Sequence, residues 1–535
     1  MINRIDAFSV GLLNKLCYDY IQESDFLQFA YNRSHKPESY PAQMAEKKQN
    51  YPAEHRKQLV KAMRKKYQEL GISEKQAPKV YQNLNALDSE HTFTVTTGHQ
   101  LVLFGGPLFT TYKILTAVKL AEELSALSTE NKVVPVLWLA SEDHDFEEIA
   151  RFFVKDTWLN WELPHQGEAV GRLRIANLEP LIQQVQELLA DNHASRRLIQ
   201  LIKSCYKEGE LLANASFRFF HEYFKDLGLL VLDPDNAELK SLFRPIMEKD
   251  LATSTHFQVQ QEGDQKLAAH YDLQINARAC NLFLLDEAGK RNLLKKDSSG
   301  NSFSLSDSNQ NFELENLLEM LKSNPEQFSP NVNLRPLYQE CILPNLAYVG
   351  GPAEIAYWLQ LKPLFDANSL CYPIPVLRHM QVIFPPGLNK RLEEMQLNPQ
   401  EILLPLSKLE ALFYEKQGDT EVPLLAEQIL ESWQRIYEEM TKVDGELSHE
   451  TLQDKLEDKQ ELKELVKKYQ QLRRKKHESK LLKLEGWRKE LFPGGILQER
   501  NLILPEMEAL YDSFWAGRIL GFVKPFEKGM LLEFC

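Results

Sequence analysis

Three runs of residues carry most of the chemistry this sequence offers. The first is "TTGHQLVLFGGPLFTTYK", from Thr96 to Lys113. Thr97, Gly98, His99 and Gln100 follow an alternating run containing Phe93 and Val95, and a neutral imidazole and an amide there can hydrogen-bond a phosphate or a carboxyl group undergoing substitution. Gly105 and Gly106 let a ligand approach the backbone, and Pro107 suits the first position of a helix whose free amides can hold an anion. Lys113, two turns further on, either assists or is solvated. The spacing matches neither the Walker A loop nor GxGxxG, and the plainer alternative for the turn is structural.

The second run is "SEDHDFEE", from Ser141 to Glu148. As a helix start it needs no further explanation: Ser141 caps, and the acids complement the positive end of the helix by about 0.3 to 1 kcal/mol each. Four ionisable residues in succession exceed what one cap requires. The functional reading gives Glu142, Asp143 and Asp145 to a substrate ammonium or a magnesium ion, and His144 to proton transfer or ligation. The third run, "RPLYQECILPNLAYVGGPAEIAYW", repeats the Gly-Gly-Pro turn at Gly350, Gly351 and Pro352. Tyr348 precedes that turn, and Glu354 and Tyr357 follow it, either meeting the first site or packing. The cysteines, Cys17, Cys205, Cys280, Cys341, Cys371 and Cys535, are scattered, with no CxxC pair and no His cluster at metal spacing. No redox cofactor or catalytic cysteine is expected.

Positioning these residues calls for an α/β fold. Phe93 to Thr97, the Gly-rich turn, the run "TYKILTAVKLAEELSAL" and the apolar block "VVPVLWLA" read as strand, turn, helix and doubly buried strand, with the acidic run at the second strand's end. "FRFFHEYFKDLG" into "LLVLDPDN" and "YVGGPAEIAYWLQLKPLF" into "CYPIPVLRH" repeat the alternation, which predicts a mainly parallel, doubly wound sheet. Residues 41–82 read as a helical lead-in, and "KKDSSGNSFSLSDSNQN" as an exposed loop. Past Pro386, Ile429, Trp433, Ile436, Met440, Val443 and Leu447 form a coiled-coil seam. Leu452, Leu456, Leu462, Leu465, Tyr469 and Leu472 form a second, with Asp444 and Gly445 at the hairpin turn between them. The basic run "RRKKH" from Arg473 reads as the solvated face of that hairpin. The predicted domains are 1–385, an α/β core with lead-in and insertions; 386–490, helical and coiled-coil; and 491–535, returning to the core.

The whole chain bounds the function classes. With 535 residues, 43% apolar and 26% charged, it is long enough for two or three domains and ordinary for a globular protein. A net charge of -13 argues against a broad surface for nucleic acid or anionic lipid. The N-terminal "MINRIDAFSVGLLNKLCYDY" reads neither as a signal peptide nor as an anchor, no later stretch is apolar enough to span a bilayer, and the cysteine usage suits the cytoplasm.

Taken in order, "TTGHQ…GGPL…YK", "WLASEDHDFEE", "LPNLAYVGGPAEIAYW" and "LFPGGILQER" resemble the landmarks of the cysteine ligases of bacillithiol biosynthesis, and they extend over most of the chain. The resemblance implies a Rossmann-like core related to class I aminoacyl-tRNA synthetases and a coiled coil associated with homodimerisation. It implies joining of L-cysteine to glucosaminyl-malate through an amide, with ATP or another nucleotide, and magnesium, activating the cysteine carboxylate as an acyl-adenylate. Under it, Thr97, Gly98, His99, Gln100 and the Gly106 turn contact phosphate or the reacting carboxyl, and Glu142, Asp143 and Asp145 hold amino groups or a metal. Lys113, Tyr348, Gly350, Gly351 and Glu354 complete the binding set, and His144, with His99, is the candidate for acid–base work. Two rivals stand beside it: a nucleotide-dependent ligase or transferase acting on another amine, and a non-enzymatic scaffold whose coiled coil is the working part.

Overall fold

A computed structural model describes residues 2–534 apart from 165–166, 287–288, 298–299, 307–309, 420 and 444. The chain divides into two compact units, one formed by residues 13–380 with 498–530, the other by 1–12, 381–497 and 531–535. The first twelve residues thus group with the helical unit instead of the core. The last stretch divides as well: 498–530 joins the core, while Leu531–Phe534 pairs in parallel with Gln381–Phe384 in a three-stranded sheet of the helical unit.

The larger unit is built on a five-stranded parallel sheet. Its strands are β1 (Thr92–His99), β2 (Lys132–Leu139), β3 (Leu230–Leu232), β4 (Asn345–Gly350) and β5 (Ile374–Leu377), in the spatial order β5-β4-β1-β2-β3. The chain runs outward from β1 to β3, then returns to place β4 on the other side of β1. This reversal opens a crevice beyond the carboxyl ends of β1 and β4, where ligands bind in open α/β sheets.

The alternation in β1 has a specific basis. Phe93 and Val95 join a core with Leu120 and Leu124 of helix α1 (Leu108–Ala126) and Val349 and Val376. On the other face, Thr94 and Thr96 donate to the buried Asn345 Oδ1 at 3.1 and 2.8 Å. Asn345 in turn donates to Glu340, which pairs with Lys47 at 3.1 Å. Helix α1 is apolar nearly all round because the sheet covers one side and residues 498–501 and 515–520 pack against it as well. The lead-in is helical over Tyr40–Asn50, Ala53–Glu69 and Pro78–Ala86.

The serine-rich stretch expected as a loop instead supplies strands. Leu282–Leu285, Arg291–Lys296, Ser302–Leu305, Asn311–Glu313 and Phe328–Pro330 form an antiparallel sheet inserted between β3 and β4. Phe303 and Leu305 are buried, so a period of two runs through a composition that otherwise reads as loop.

In the smaller unit, helices Glu421–Val443 and Gly445–Leu491 form the hairpin; Asp444, expected at its turn, lies outside the described residues. The covered rows differ from the predicted seams. Val422, Ala426, Leu430 and Trp433 are buried or half-buried on one helix, and Leu462, Val466, Tyr469 and Arg473 half-buried on the other. Ile429 and Ile436 are 40% and 58% exposed, and Leu465 and Leu472 60% and 68%. The side chains of Met440, Val443, Leu447, Leu452 and Leu456 lie outside the described residues. The basic run is only partly solvated: Arg473 lies 3.6 Å over the Tyr414 ring and donates to the Asp419 carbonyl, and buried His477 meets the Asp419 carboxylate at 2.5 Å.

Candidate active site

A cavity of about 580 Å³ opens at the crevice between β1 and β4. Its floor is the end of β1, Gly98 to Gln100, with Trp138 of β2 and Tyr348 of β4 beside it. In its lining Lys113 of α1 meets Glu354 of helix α2 (Pro352–Ala367) at 2.9 Å. Lys113 Nζ also donates to the Gly98 carbonyl, while Glu354 accepts from the Tyr348 hydroxyl at 2.6 Å and the Gly351 amide at 2.8 Å. Burial works to raise the Glu354 carboxyl, but Lys113, the Gly351 amide and the Tyr348 hydroxyl outweigh it and hold it at about 2. Burial pushes Lys113 below the ordinary lysine value against the pull of Glu354.

His99 stacks on Phe109 with ring centroids 5.2 Å apart, and its buried Nε2 has no hydrogen-bond partner among the described residues. Burial, then the charge of Lys113, lower it to about 3, so the imidazole is neutral throughout the physiological range.

One wall of the cavity is acidic. The Gln100 amide donates to Asp143 at 3.1 Å and to Glu148, holding two carboxylates together. Burial raises the Glu148 carboxyl above the ordinary glutamate value, and Asp145 and Asp143 add to this against the Gln100 hydrogen bond. Glu142 pairs with the buried Lys240 at 2.6 Å; Lys240 also meets Asp235 at 3.3 Å, and Arg172 grips Asp235 with two bonds of 2.7 and 2.9 Å. Burial raises Glu142 despite Lys240, whereas Lys240 and Arg172 overcome burial to hold Asp235 at about 2.

The same cavity is lined by guanidinium groups from Arg278, Arg291 and Arg335. Arg291 lies 4.0 Å over Phe283, donates to the Pro330 carbonyl at 2.7 Å and lies 3.8 Å from Asp143. Its Nη1 is also 3.2 Å from His144 Nδ1. Arginine only donates, so in this hydrogen bond the histidine nitrogen accepts.

The predicted site residues therefore divide. Gly98, His99, Gln100, Lys113, Glu142, Asp143, His144, Tyr348 and Glu354 line one cavity. Thr97 is buried and donates to the Val349 carbonyl within the sheet. Asp145 caps Phe146–Ala150, accepting from the Glu148 amide at 3.2 Å, and stands outside the cavity lining.

The Gly-Gly-Pro turns correct the anion-binding expectation. The Leu108 amide, first of α1, donates to the Leu502 carbonyl at 3.0 Å, and Pro107 bridges Ile503. A Cβ at Gly105 would lie 2.9 Å from Leu504, and one at Gly106 2.4 Å from Val102; both glycines have positive φ. Close packing and backbone conformation explain the first turn, with no ligand needed. At the second, the Glu354 carboxylate occupies the Gly351 amide, while a Cβ at Gly350 would press on Glu354 and Tyr348.

Arg278, Arg291, Arg335 and Glu148 were not singled out from sequence. Arg291 sits on a strand of the inserted sheet and Arg278 just before it, in segments with no motif. Arg335 opens helix Arg335–Ile342, where the following proline marks a helix start but says nothing of the arginine. Among the described residues no group of three His, Cys, Asp or Glu is arranged to hold a metal ion, and no helix is long and apolar enough to cross a membrane.

Residues 2–379 match the family model described as "Bacillithiol biosynthesis BshC, N-terminal Rossmann-like domain", and residues 382–532 match its "C-terminal coiled-coil domain". Three similar proteins carry the name "Putative cysteine ligase BshC". That of Flavobacterium johnsoniae is 32% identical over 92% of this chain and 92% of its own length. That of Christiangramia forsetii is 31% identical over 98% and 97%, and that of Cytophaga hutchinsonii 32% over 93% and 94%.

Proposed function

The chain belongs to the BshC family of bacillithiol biosynthesis, and from that premise we propose that it is a ligase joining L-cysteine to the amine of glucosaminyl-malate through an amide, the last step of that pathway. The observation that carries this reading is that guanidinium groups and carboxylates line one cavity together, Arg278, Arg291 and Arg335 with Glu142, Asp143 and Glu148. A reaction that brings a carboxylate-bearing amino acid to an amine-bearing, dicarboxylate acceptor uses both signs of charge.

ATP or another nucleotide supplies activation of the cysteine carboxylate as a mixed anhydride. The Leu108 and Gly351 amides at the two helix starts are taken by protein groups, so phosphate oxygens are met by the arginines of the lining. Magnesium, where used, is carried chiefly by those phosphates. Asp143 and Glu148 hold the acceptor's ammonium, and Glu148, its carboxyl raised by burial, takes the proton that must leave before nitrogen attacks. This moves the role of proton acceptor from His144, whose Nδ1 is engaged by Arg291, and from His99, which is too weak a base. Neutral His99 instead offers its unpartnered Nε2 to the reacting carboxyl.

The protein works in the cytoplasm and pairs as a homodimer through the exposed stripe of Ile429, Ile436, Leu465 and Leu472, which the intramolecular hairpin leaves uncovered. The reaction is tested by mass spectrometry of the full-length protein with cysteine, glucosaminyl-malate, magnesium and ATP. Amide product with AMP supports adenylation, and with ADP an acyl-phosphate. No amide under any nucleotide overturns the reading in favour of another amine or of the scaffold.

A further inference from the structure

Cations taken out of water in a folded protein are normally matched by a carboxylate, because the desolvation cost is otherwise uncompensated. In the core unit, Lys47 has Glu340, Lys113 has Glu354, Lys240 has Glu142 and Asp235, and Arg378 has Glu499. Arg335, half-buried where it lines the cavity, has no such partner, and neither among the described residues has buried Arg56, whose Nη1 donates instead to the Leu87 and Thr92 carbonyls. Among the described residues no carboxylate lies within 4.0 Å of the Arg335 guanidinium. Its hydrogen bonds go to neutral partners, Nη1 to Gln339 Oε1 and Nη2 to the Tyr357 hydroxyl, both at 3.2 Å. The group rests between aromatic rings, 5.9 Å from the centroid of Trp138 and 5.8 Å from that of Tyr348, which fix its plane.

The space beside this guanidinium is kept open. A Cβ at Gly98 would stand 3.8 Å from Arg335 Nη1 and 3.6 Å from the Tyr348 hydroxyl, close to the floor of the cavity. Glycine here needs no special backbone angle, since its φ is not positive. A guanidinium that faces a cavity, hydrogen-bonded only to neutral groups and reached by the Glu354 charge without pairing to it, can receive an oxyanion of matching geometry.

We propose that Arg335 is the cavity's oxyanion receptor, binding a carboxylate or phosphate of substrate, and that Gly98 leaves the space this ligand occupies. The proposal deepens the ligase reading and rests on it for the identity of the oxyanion: a malyl carboxylate of the acceptor or a phosphate of the nucleotide. The sources are separated by titrating full-length protein with L-malate and, separately, with ADP, in the wild type and in Arg335→Met and Arg335→Lys. Thermal unfolding of each unliganded protein is measured alongside.

A receptor role predicts that Arg335→Met unfolds at or above the wild-type temperature while weakening one of the two probes on the order of 100-fold, with Arg335→Lys recovering only part. Loss confined to malate assigns the carboxylate, and loss confined to ADP assigns the phosphate. A lowered unfolding temperature with both affinities unchanged makes Arg335 structural and overturns the proposal. A malate or ADP effect in a protein that forms no amide leaves the receptor standing and sinks the ligase reading alone.

Discussion

Lys113 and Glu354 meet at 2.9 Å where the strand order of the parallel sheet reverses, tying the helix after β1 to the helix after β4. Both residues line the cavity. Their pairing leaves neither residue free as an isolated phosphate-binding charge. Removing one partner strands the other out of water, so Glu354→Gln is expected to cost about 3 kcal/mol in urea unfolding. Lys113→Met combined with Glu354→Gln should recover part of that loss. The carboxyl is held at about 2, below its ordinary 4.5, so its contribution is fully present above pH 4.5 and is lost as pH falls towards 2. Acid unfolding of Glu354→Gln should lack that component.

His99 reports on the cavity through pH. Because its folded value is about 3 against an ordinary 6.5, the unfolded chain binds the extra proton between those values, and stability falls as pH drops below 6.5. His99→Gln is expected to flatten this limb. With an amide still able to hydrogen-bond a carboxyl, it should keep turnover within about tenfold. His99→Leu should lose more, and equal losses in the two variants would reject a hydrogen-bonding role.

Glu148 is expected to govern the acid limb of the rate profile. Its carboxyl is raised, so the inflection in kcat/KM for the acceptor should lie above 4.5, and Glu148→Gln should remove it while lowering kcat by about 10²-fold or more. His144→Ala should alter KM more than kcat. The reverse pattern would return the proton to His144.

The glycines separate packing from binding. Gly105→Ala and Gly106→Ala place a Cβ against Leu504 and Val102 at positive φ and should each destabilise by about 1 to 3 kcal/mol, read in urea, with nucleotide affinity of the folded fraction unchanged. Gly98→Ala meets only ordinary contacts and should fold normally while weakening substrate.

The exposed stripe on the hairpin should govern mass in solution. Ile429→Glu combined with Ile436→Glu changes side chains already exposed in the protomer, so light scattering should give half the wild-type mass with an unchanged helical signal. An unchanged mass would exclude these residues from a dimer contact.

The sequence by itself determined the alternation of strands and helices in the core, the helical hairpin, and the two runs that end on the cavity floor and its acidic wall. Those features are local: a period of two, a period near 3.6, and turn residues next to them are legible without knowing what packs where. Only the tertiary structure decided which side of each feature is used. It placed Leu502 and Leu504 over the first Gly-Gly-Pro turn, 400 residues along the chain, and so turned an expected anion site into a packing contact. It put Glu354 on the second turn's amide, and it chose Leu462, Val466 and Tyr469 over Leu465 and Leu472 for the hairpin's covered row. Arg278, Arg291 and Arg335 converge from an insertion and from a helix start, so no spacing in the chain could have brought them together. A charge in a sequence says nothing of its partner; that Arg335 hydrogen-bonds only neutral groups among the described residues is a property of the fold alone.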